Sequence, residues 1–232
     1  MSMPLLFEYF QELPQRREQE TAREWSRRFR AGLKQFQKIV AGRYSEGTLQ
    51  RLLSSATPAV RQAAVVALGL CGSMTMNQAL ARMLRDDDPS VRRFADDALW
   101  SIWFRADAPD NNDALEHVMR RIAKDEDPGG ILAEFEALLA RAPKFAEAYN
   151  QRAIFHFRRG DFLRSIADCQ KVLQLNPYHF GAASGLAQCF MKQRKYHAAL
   201  RTYRRALRIN PSLEGIRETI ESLEKMLGEG RK

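Results

Sequence analysis

The segment Thr57-Pro58-Ala59-Val60-Arg61-Gln62-Ala63-Ala64-Val65-Val66-Ala67-Leu68 returns 31 residues later as Asp88-Pro89-Ser90-Val91-Arg92-Arg93-Phe94-Ala95-Asp96-Asp97-Ala98-Leu99. Self-similarity at a fixed offset marks a supersecondary unit used more than once, in which each copy buries its apolar face only against its neighbours. Thr57 and Asp88 stand where a side-chain oxygen can accept from the free N–H groups of a helix start, and the Pro after each lacks only an N–H that would be unpaired anyway. A shorter apolar stretch precedes each copy, Leu49, Leu52 and Leu53 in one and Ala79, Leu80, Met83 and Leu84 in the other, so the unit is a pair of antiparallel helices. A second spacing, of 34, links Pro143, Pro177 and Pro211, each closing a helix whose apolar positions follow the 3.6-residue period. Composition agrees: 30 Ala and 25 Leu outnumber the 22 β-branched Val, Ile and Thr, which predicts an all-α chain.

The Pro-x-Val-Arg core with its trailing Ala-Leu resembles a HEAT repeat of the short type, in two copies over about residues 46–105. From Ala146 to Pro177, Tyr149, Ala153, Gly160, Ser165, Cys169, Val172 and Pro177 resemble a tetratricopeptide repeat. The next copy carries Leu186, Ala187, Phe190, Tyr196, Ala199, Tyr203, Ala206 and Pro211, and departs from the pattern at its turn, where Arg194-Lys195 replaces Gly-Asp. A degenerate copy precedes them, with Ile131, Phe135, Leu138 and Pro143 in place and Asp127-Pro128 capping its second helix. The resemblance implies a right-handed α-α superhelix in which HEAT-like pairs continue into tetratricopeptide pairs. The expected organisation is N-terminal amphipathic capping helices over 1–45, two HEAT-like repeats over 46–105, a short linker at 106–112, one degenerate and two regular tetratricopeptide repeats over 113–211, and a capping helix and tail over 212–232. On the N-terminal helix, Ala22, Trp25, Phe29, Leu33, Phe36 and Val40 form the face expected to cover the first repeat. Leu99, Trp100, Ile102, Trp103 and Phe104 are apolar nearly all round their helix, as at a joint between arrays or a partner surface.

Charge is uneven along the 232 residues: net +4 over 1–45, −1 over 46–110, −2 over 111–145 and +8 over 146–232. Such asymmetry is compatible with an acidic or polyanionic partner through long-range steering. Cys71, Cys169 and Cys189 are odd in number and lack CxxC spacing, so neither a disulfide framework nor a zinc site is expected. The acidic run Asp86-Asp87-Asp88 lacks the Gly and distal Glu of a calcium loop and reads as a turn and cap. Residues 62–81 carry no charge, but Gly72-Ser73 reads as a helix stop and turn, so no transmembrane segment is expected. Glu8 inside a short apolar run without preceding positive charge is unlike a secretory signal, and the expected location is cytoplasmic.

No nucleotide loop, nucleophile elbow or metalloprotease motif occurs, and His117, His156, His179 and His197 are isolated in sequence, so neither catalytic residues nor a cofactor are expected. His156 falls where the tetratricopeptide pattern usually has an aromatic, which suggests a packed ring. By the family's pattern the concave groove is lined by Glu147, Asn150, Ile154, Phe157 and Arg158 in one repeat and by Ser184, Gln188, Met191 and Lys192 in the next. This mixed apolar and polar wall suits an extended peptide or a helix. The resemblance therefore implies a non-enzymatic adaptor or scaffold with a protein partner. Family members that hold a chaperone's C-terminal carboxylate use paired Lys, Asn and Arg, and Ile154, Gly181 and Gly185 at the corresponding places argue against that ligand. Arg201, Arg204, Arg205 and Arg208 share one helix face, and Arg23, Arg27, Arg30 and Lys34 draw a stripe on the N-terminal helix. The plain reading is solvated surface; the alternative is an RNA- or ribosome-associated factor using these basic faces. Oligomeric state and the identity of the partner are open at this stage.

Overall fold

The structure, a computed structural model, describes residues 4–229. Among them are thirteen α-helices, one short 3-10 turn and no strand, with the helices packing in consecutive pairs. The chain divides into two compact units, one ending at Ile102 and the other beginning at Trp103.

The first unit holds α1 (Leu5–Gln11), α2 (Ala22–Arg43), α3 (Glu46–Leu52), α4 (Pro58–Cys71), a 3-10 turn (Met74–Met76) leading into α5 (Asn77–Met83), and α6 (Pro89–Phe104), whose last two residues belong to the second unit. Thr21 starts α2 with a capping box: its hydroxyl accepts from the Glu24 amide while the Glu24 carboxylate accepts from the Thr21 amide. The repeated Arg has the same task in both copies. Arg61 Nη1 donates to the carbonyls of Ser55 and Ala56, and Arg92 Nη1 donates to those of Asp86 and Asp87, 31 residues on. Each guanidinium thus clasps the turn that enters its own helix. Arg61 also forms a bidentate pair with Asp86, at 2.7 and 2.6 Å, which ties the first repeat to the second. Burial alone would raise the Asp86 carboxyl, but Arg61 and the Asp88 amide hold it below the ordinary aspartate range.

The two caps differ. Asp88 Oδ1 accepts from the Ser90 and Val91 amides at 2.9 Å, whereas the Thr57 side chain caps nothing, leaving Pro58 as the only local start signal of α4. Val60, Ala64 and Leu68 of α4 and Val91, Ala95 and Leu99 of α6 are buried, and Gly69 lies so close to Ala98 that an added Cβ would sit 2.9 Å from the Ala98 methyl. The uncharged run is broken as expected: α4 stops at Cys71, with the Gly72 amide closing on the Leu68 carbonyl at 2.7 Å. No described helix is long and apolar enough to cross a membrane. Helices α1 and α2 pack on α4. Of the apolar α2 face, Phe36 and Val40 are fully buried, but Trp25, Phe29 and Leu33 are only half covered and border an open cleft.

The second unit contains α7 (Pro109–Ala123), α8 (Pro128–Arg141), α9 (Ala146–Arg158), α10 (Phe162–Leu175), α11 (Phe180–Lys192), α12 (Tyr196–Ile209) and α13 (Ile216–Glu229). Each packs on the next from α7 to α10 and from α10 to α13, and α9 also touches α11, first helix against first helix. The Pro143, Pro177 and Pro211 positions all follow helix ends. Asn176 and Asn210, 34 apart, repeat one device: each amide closes its helix and each side-chain oxygen accepts from the amide two residues on. The segment expected as a linker overlaps the first turn of α7 and carries hydrogen bonds within itself. Asp107 Oδ1 accepts from the Ala108 amide and from Asn111, while Asn112 Oδ1 accepts from the Asp107 amide.

The irregular turn keeps the repeat geometry. Gly160 adopts φ +78° and Arg194 adopts φ +57°, the Asp161 amide reaches the His156 carbonyl at 3.0 Å, and the Lys195 amide reaches that of Phe190 at 2.9 Å. An arginine therefore occupies a left-handed position that suits glycine. Cys169, Val172, Ala183 and Leu186 bury the joint between the two regular pairs, and Leu223 of α13 is buried against Ala199 and Tyr203 of α12. Ile216, Ile220 and Leu227 of α13 are partly buried against the same cluster.

Candidate functional site

The candidate site is the wall formed by α9 and α11, the first helices of the two regular pairs. Its floor is a buried polar cluster. His179, the N-cap of α11, accepts from the Ala182 amide at Nδ1 (3.0 Å) and so carries its proton on Nε2, which lies 2.9 Å from Glu147 Oε2. Glu147 Oε1 accepts from Asn150 Nδ2 at 3.0 Å and from Gln151 Nε2 at 2.6 Å. The indole of Trp103 stacks on the His179 ring, with centroids 4.2 Å apart, and meets Phe180 at 5.2 Å. Glu147 and His179 are 0% exposed and Asn150 is 2% exposed. Two residues expected on the groove surface, Glu147 and Asn150, are thus internal. Their polar groups satisfy one another, as buried polar groups must.

The remaining expected wall residues are accessible to different degrees. Ile154 is 38% exposed, one of few large apolar side chains so open among the described residues, and Arg158, Gln188 and Lys192 are exposed. Phe157, Ser184 and Met191 are half-buried. Phe157 packs edge-on against Phe162 at 5.5 Å, and Met191 borders the cluster around Leu200 and Tyr203. Ser184 Oγ is buried with no hydrogen-bond partner among the described residues. Sequence reasoning did not single out Gln151, His179 and Trp103 as one cluster. The available signal was His179 two residues after a helix-closing Pro, the place of an N-cap.

Behind the wall, Arg152 donates twice to Asp168, at 2.8 and 2.7 Å, joining α9 to α10. His156 is buried as expected from its aromatic position, and burial lowers its pKa against the opposing pull of Asp168 and Asp161. Ser165 Oγ donates to the Ala153 carbonyl and receives the Cys189 thiol at 3.1 Å. Burial pushes the Cys169 thiol up to about 12 and raises that of Cys189, so both are packing groups rather than nucleophiles. Among the described residues no cluster of His, Cys, Asp and Glu could hold a metal ion.

The basic faces are less uniform than their spacing suggests. Arg201, Arg204 and Arg208 are exposed and Arg205 is half-buried, but Arg204 pairs with Glu224 of α13 at 2.6 Å, and Arg208 is also engaged. Arg23, Arg27, Arg30 and Lys34 are exposed along α2, with Arg30 folded back onto Ser26.

Comparison with protein families matches HEAT repeats over residues 45–138 and a tetratricopeptide repeat over 156–214. The chain therefore carries HEAT repeats in its N-terminal half and tetratricopeptide repeats in its C-terminal half. The HEAT match extends across α7 and most of α8, the pair read from sequence as a degenerate tetratricopeptide copy. A TPR repeat-containing protein of Rhizobium etli is 27% identical over 154 residues, covering 66% of this chain and 75% of that protein. The human Protein SGT1 homolog is 37% identical over 79 residues, 34% of this chain and 22% of its own length. Hsp70-Hsp90 organizing protein 1 of Glycine max is 30% identical over 91 residues, 38% of this chain and 16% of its own length. The chain thus spans about three quarters of the first of these relatives and less than a quarter of the other two.

Proposed function

We propose that the protein is a non-enzymatic interaction adaptor whose tetratricopeptide repeats seat a peptide or helix of a partner protein along α9 and α11. The observation that carries this reading is the exposed Ile154 on α9, a helix that touches α11, where Gln188 and Lys192 are exposed as well. Burial of Ile154, Phe157 and Met191 supplies the affinity, and the exposed Arg158, Gln188 and Lys192 fix direction and register. Glu147 and Asn150 act from beneath, by holding the helix starts in place. The likeness to an SGT1 homolog and to an Hsp70-Hsp90 organizing protein supports a protein partner. A chaperone's terminal carboxylate is not the ligand we favour, because Asn150 is buried and Ile154, Gly181 and Gly185 offer it no donor side chain.

A photo-crosslinking amino acid placed at Ile154 or Gln188, in the full chain and in native lysate, tests the assignment. The same group at Leu163 of α10, which is 72% exposed, is the control. Ile154 and Gln188 should give a shared discrete adduct that Leu163 does not. Equal capture from Leu163 would remove the groove from the account.

A further inference from the structure

The HEAT half contains a cleft of about 750 Å³ bounded by α1, the chain just after it, α2, α4 and α6. Its volume falls within the ~300–1,000 Å³ of small-molecule sites. Five aromatic rings line it: Phe7 and Phe10 from α1, Trp25 and Phe29 from α2, and Phe94 from α6. These include the half of the α2 apolar face that the repeat does not cover. Leaving such rings facing a void forgoes burial that a continuous core would have supplied.

The walls are braced without help from any occupant. Arg28 donates to both Glu20 oxygens, at 2.8 and 2.7 Å, and to the Gln15 carbonyl at 2.6 Å, which fastens the stretch before α2 onto that helix. Its guanidinium also lies 5.4 Å from the centre of the Trp25 ring. Phe10 is held between Phe36 and Phe94, edge-on to each at 6.1 and 6.3 Å. A pre-formed aromatic cleft is what a ligand needs if it is to bind without an ordering cost.

The polar groups on the wall indicate the charge of that ligand. Arg16 and Arg93 both reach the cleft, and neither closes a hydrogen bond or salt bridge among the described residues. The Arg93 guanidinium is poised over the Phe94 ring, 5.4 Å from its centre. Asp97, one turn further along α6, is the only carboxylate on the described wall and likewise forms no salt bridge. Burial raises its carboxyl above the ordinary aspartate range despite Arg93. The exposed Arg23, Arg27, Arg30 and Lys34 on α2 add to the positive field. We infer that this cleft is a binding site for an amphipathic small-molecule anion, a carboxylate or sulfonate carried on a mainly aromatic body. The rings take the body, and Arg16 and Arg93 take the acidic head.

The probe is 8-anilino-1-naphthalenesulfonate, titrated into the folded full chain at neutral pH, with thioflavin T as a cationic dye for contrast. The anionic probe should bind saturably at one site with blue-shifted emission, and more tightly than the cation. Arg16→Gln and Arg93→Gln should each weaken it about two- to fivefold, as rim charges do, and Asp97→Asn should tighten it by a similar factor. Leu70→Trp, which fills the cleft from α4, should abolish it. Arg16 is exposed and free of hydrogen bonds, so its variant keeps the test valid where a core change disturbs folding, and circular dichroism checks each protein. Tighter binding of the cationic dye, the absence of a saturable site, or a site indifferent to both Arg16→Gln and Leu70→Trp in folded protein would overturn the inference.

Discussion

His179 donates from Nε2 to the Glu147 carboxylate across 2.9 Å, and neither side chain has any exposed surface. The contact joins the first turn of α9 to the cap of α11, so two successive repeats are held by a neutral imidazole and a carboxylate that also receives Asn150 and Gln151. Removing one partner of such a contact leaves the other desolvated and unpaired, a loss of ~3–5 kcal/mol. Glu147→Ala should lower stability by about that amount in urea unfolding followed by helical signal. Glu147→Gln, which retains an acceptor, should cost less than half as much. Because both groups belong to one network, Glu147→Ala and His179→Ala together should cost at least ~1 kcal/mol less than the sum of the single losses. Strict additivity would mean that the two side chains do not cooperate.

Arg194 sits at φ +57° in the turn where its counterpart is Gly160 at φ +78°. A side chain in the left-handed region costs ~1–2 kcal/mol, part of which a glycine returns through the greater freedom of its unfolded chain. Arg194→Gly should therefore stabilise the protein by about 0.5–1 kcal/mol, read as a rise of roughly 1–4 °C in the midpoint of thermal unfolding. The reverse change, Gly160→Arg, should destabilise. A lower midpoint for Arg194→Gly would show that the arginine makes a contact worth more than its strain.

Much of this fold is legible because the repeats restate one physical solution. Pro58 and Pro89 announce helix starts, Pro143, Pro177 and Pro211 announce stops, and the apolar spacing of α9 to α12 shows which faces meet. The identity of the buried residues on the candidate wall is less legible. Glu147 and Asn150 occupy groove positions in the pattern, and only the tertiary structure shows that Glu147 meets His179 and that both residues are buried. Helical period places a residue on a face but does not say what stands in front of that face. The same holds for α2, whose apolar stripe gives no sign that Phe36 and Val40 are buried while Trp25 and Phe29 border open space. The Arg204 pair with Glu224 is illegible for the complementary reason, since α13 follows a connection whose path the spacing does not fix.

Thr57 offers a test of local design at the head of α4. Its equivalent Asp88 accepts from two backbone amides, while the Thr57 hydroxyl accepts from none, although the residue has the extended conformation of a cap. Thr57→Asp should supply the missing acceptor and place negative charge at the positive end of the helix. An increase of ~0.5–1 kcal/mol in unfolding free energy is expected, diminishing when the aspartate is protonated in acid. No change at neutral pH would indicate that the backbone at Thr57 cannot bring a carboxylate into line with the first turn.

His156 sets a specific pH dependence. It occupies the aromatic position of its repeat and is 6% exposed. Burial lowers its pKa from the ordinary 6.5, with Arg152 and Arg164 acting in the same sense and Asp168 and Asp161 opposing. Above that value the ring is neutral in both folded and unfolded chains and contributes no pH dependence. As the pH falls below about 6.5 the unfolded chain takes up the proton first, so stability declines until the folded ring is protonated as well. The depressed carboxylates act in a separate window: Glu20, held at about 2 chiefly by Arg28, gives up its contribution only as the pH drops from about 4.5 toward 2. His156→Phe keeps a ring in place and removes the histidine titration. The difference in unfolding free energy between about pH 7.5 and about pH 5.5 should therefore shrink in the variant, while the acid limb below pH 4.5 stays the same. An unchanged difference in that upper window would assign the titration to a group other than His156.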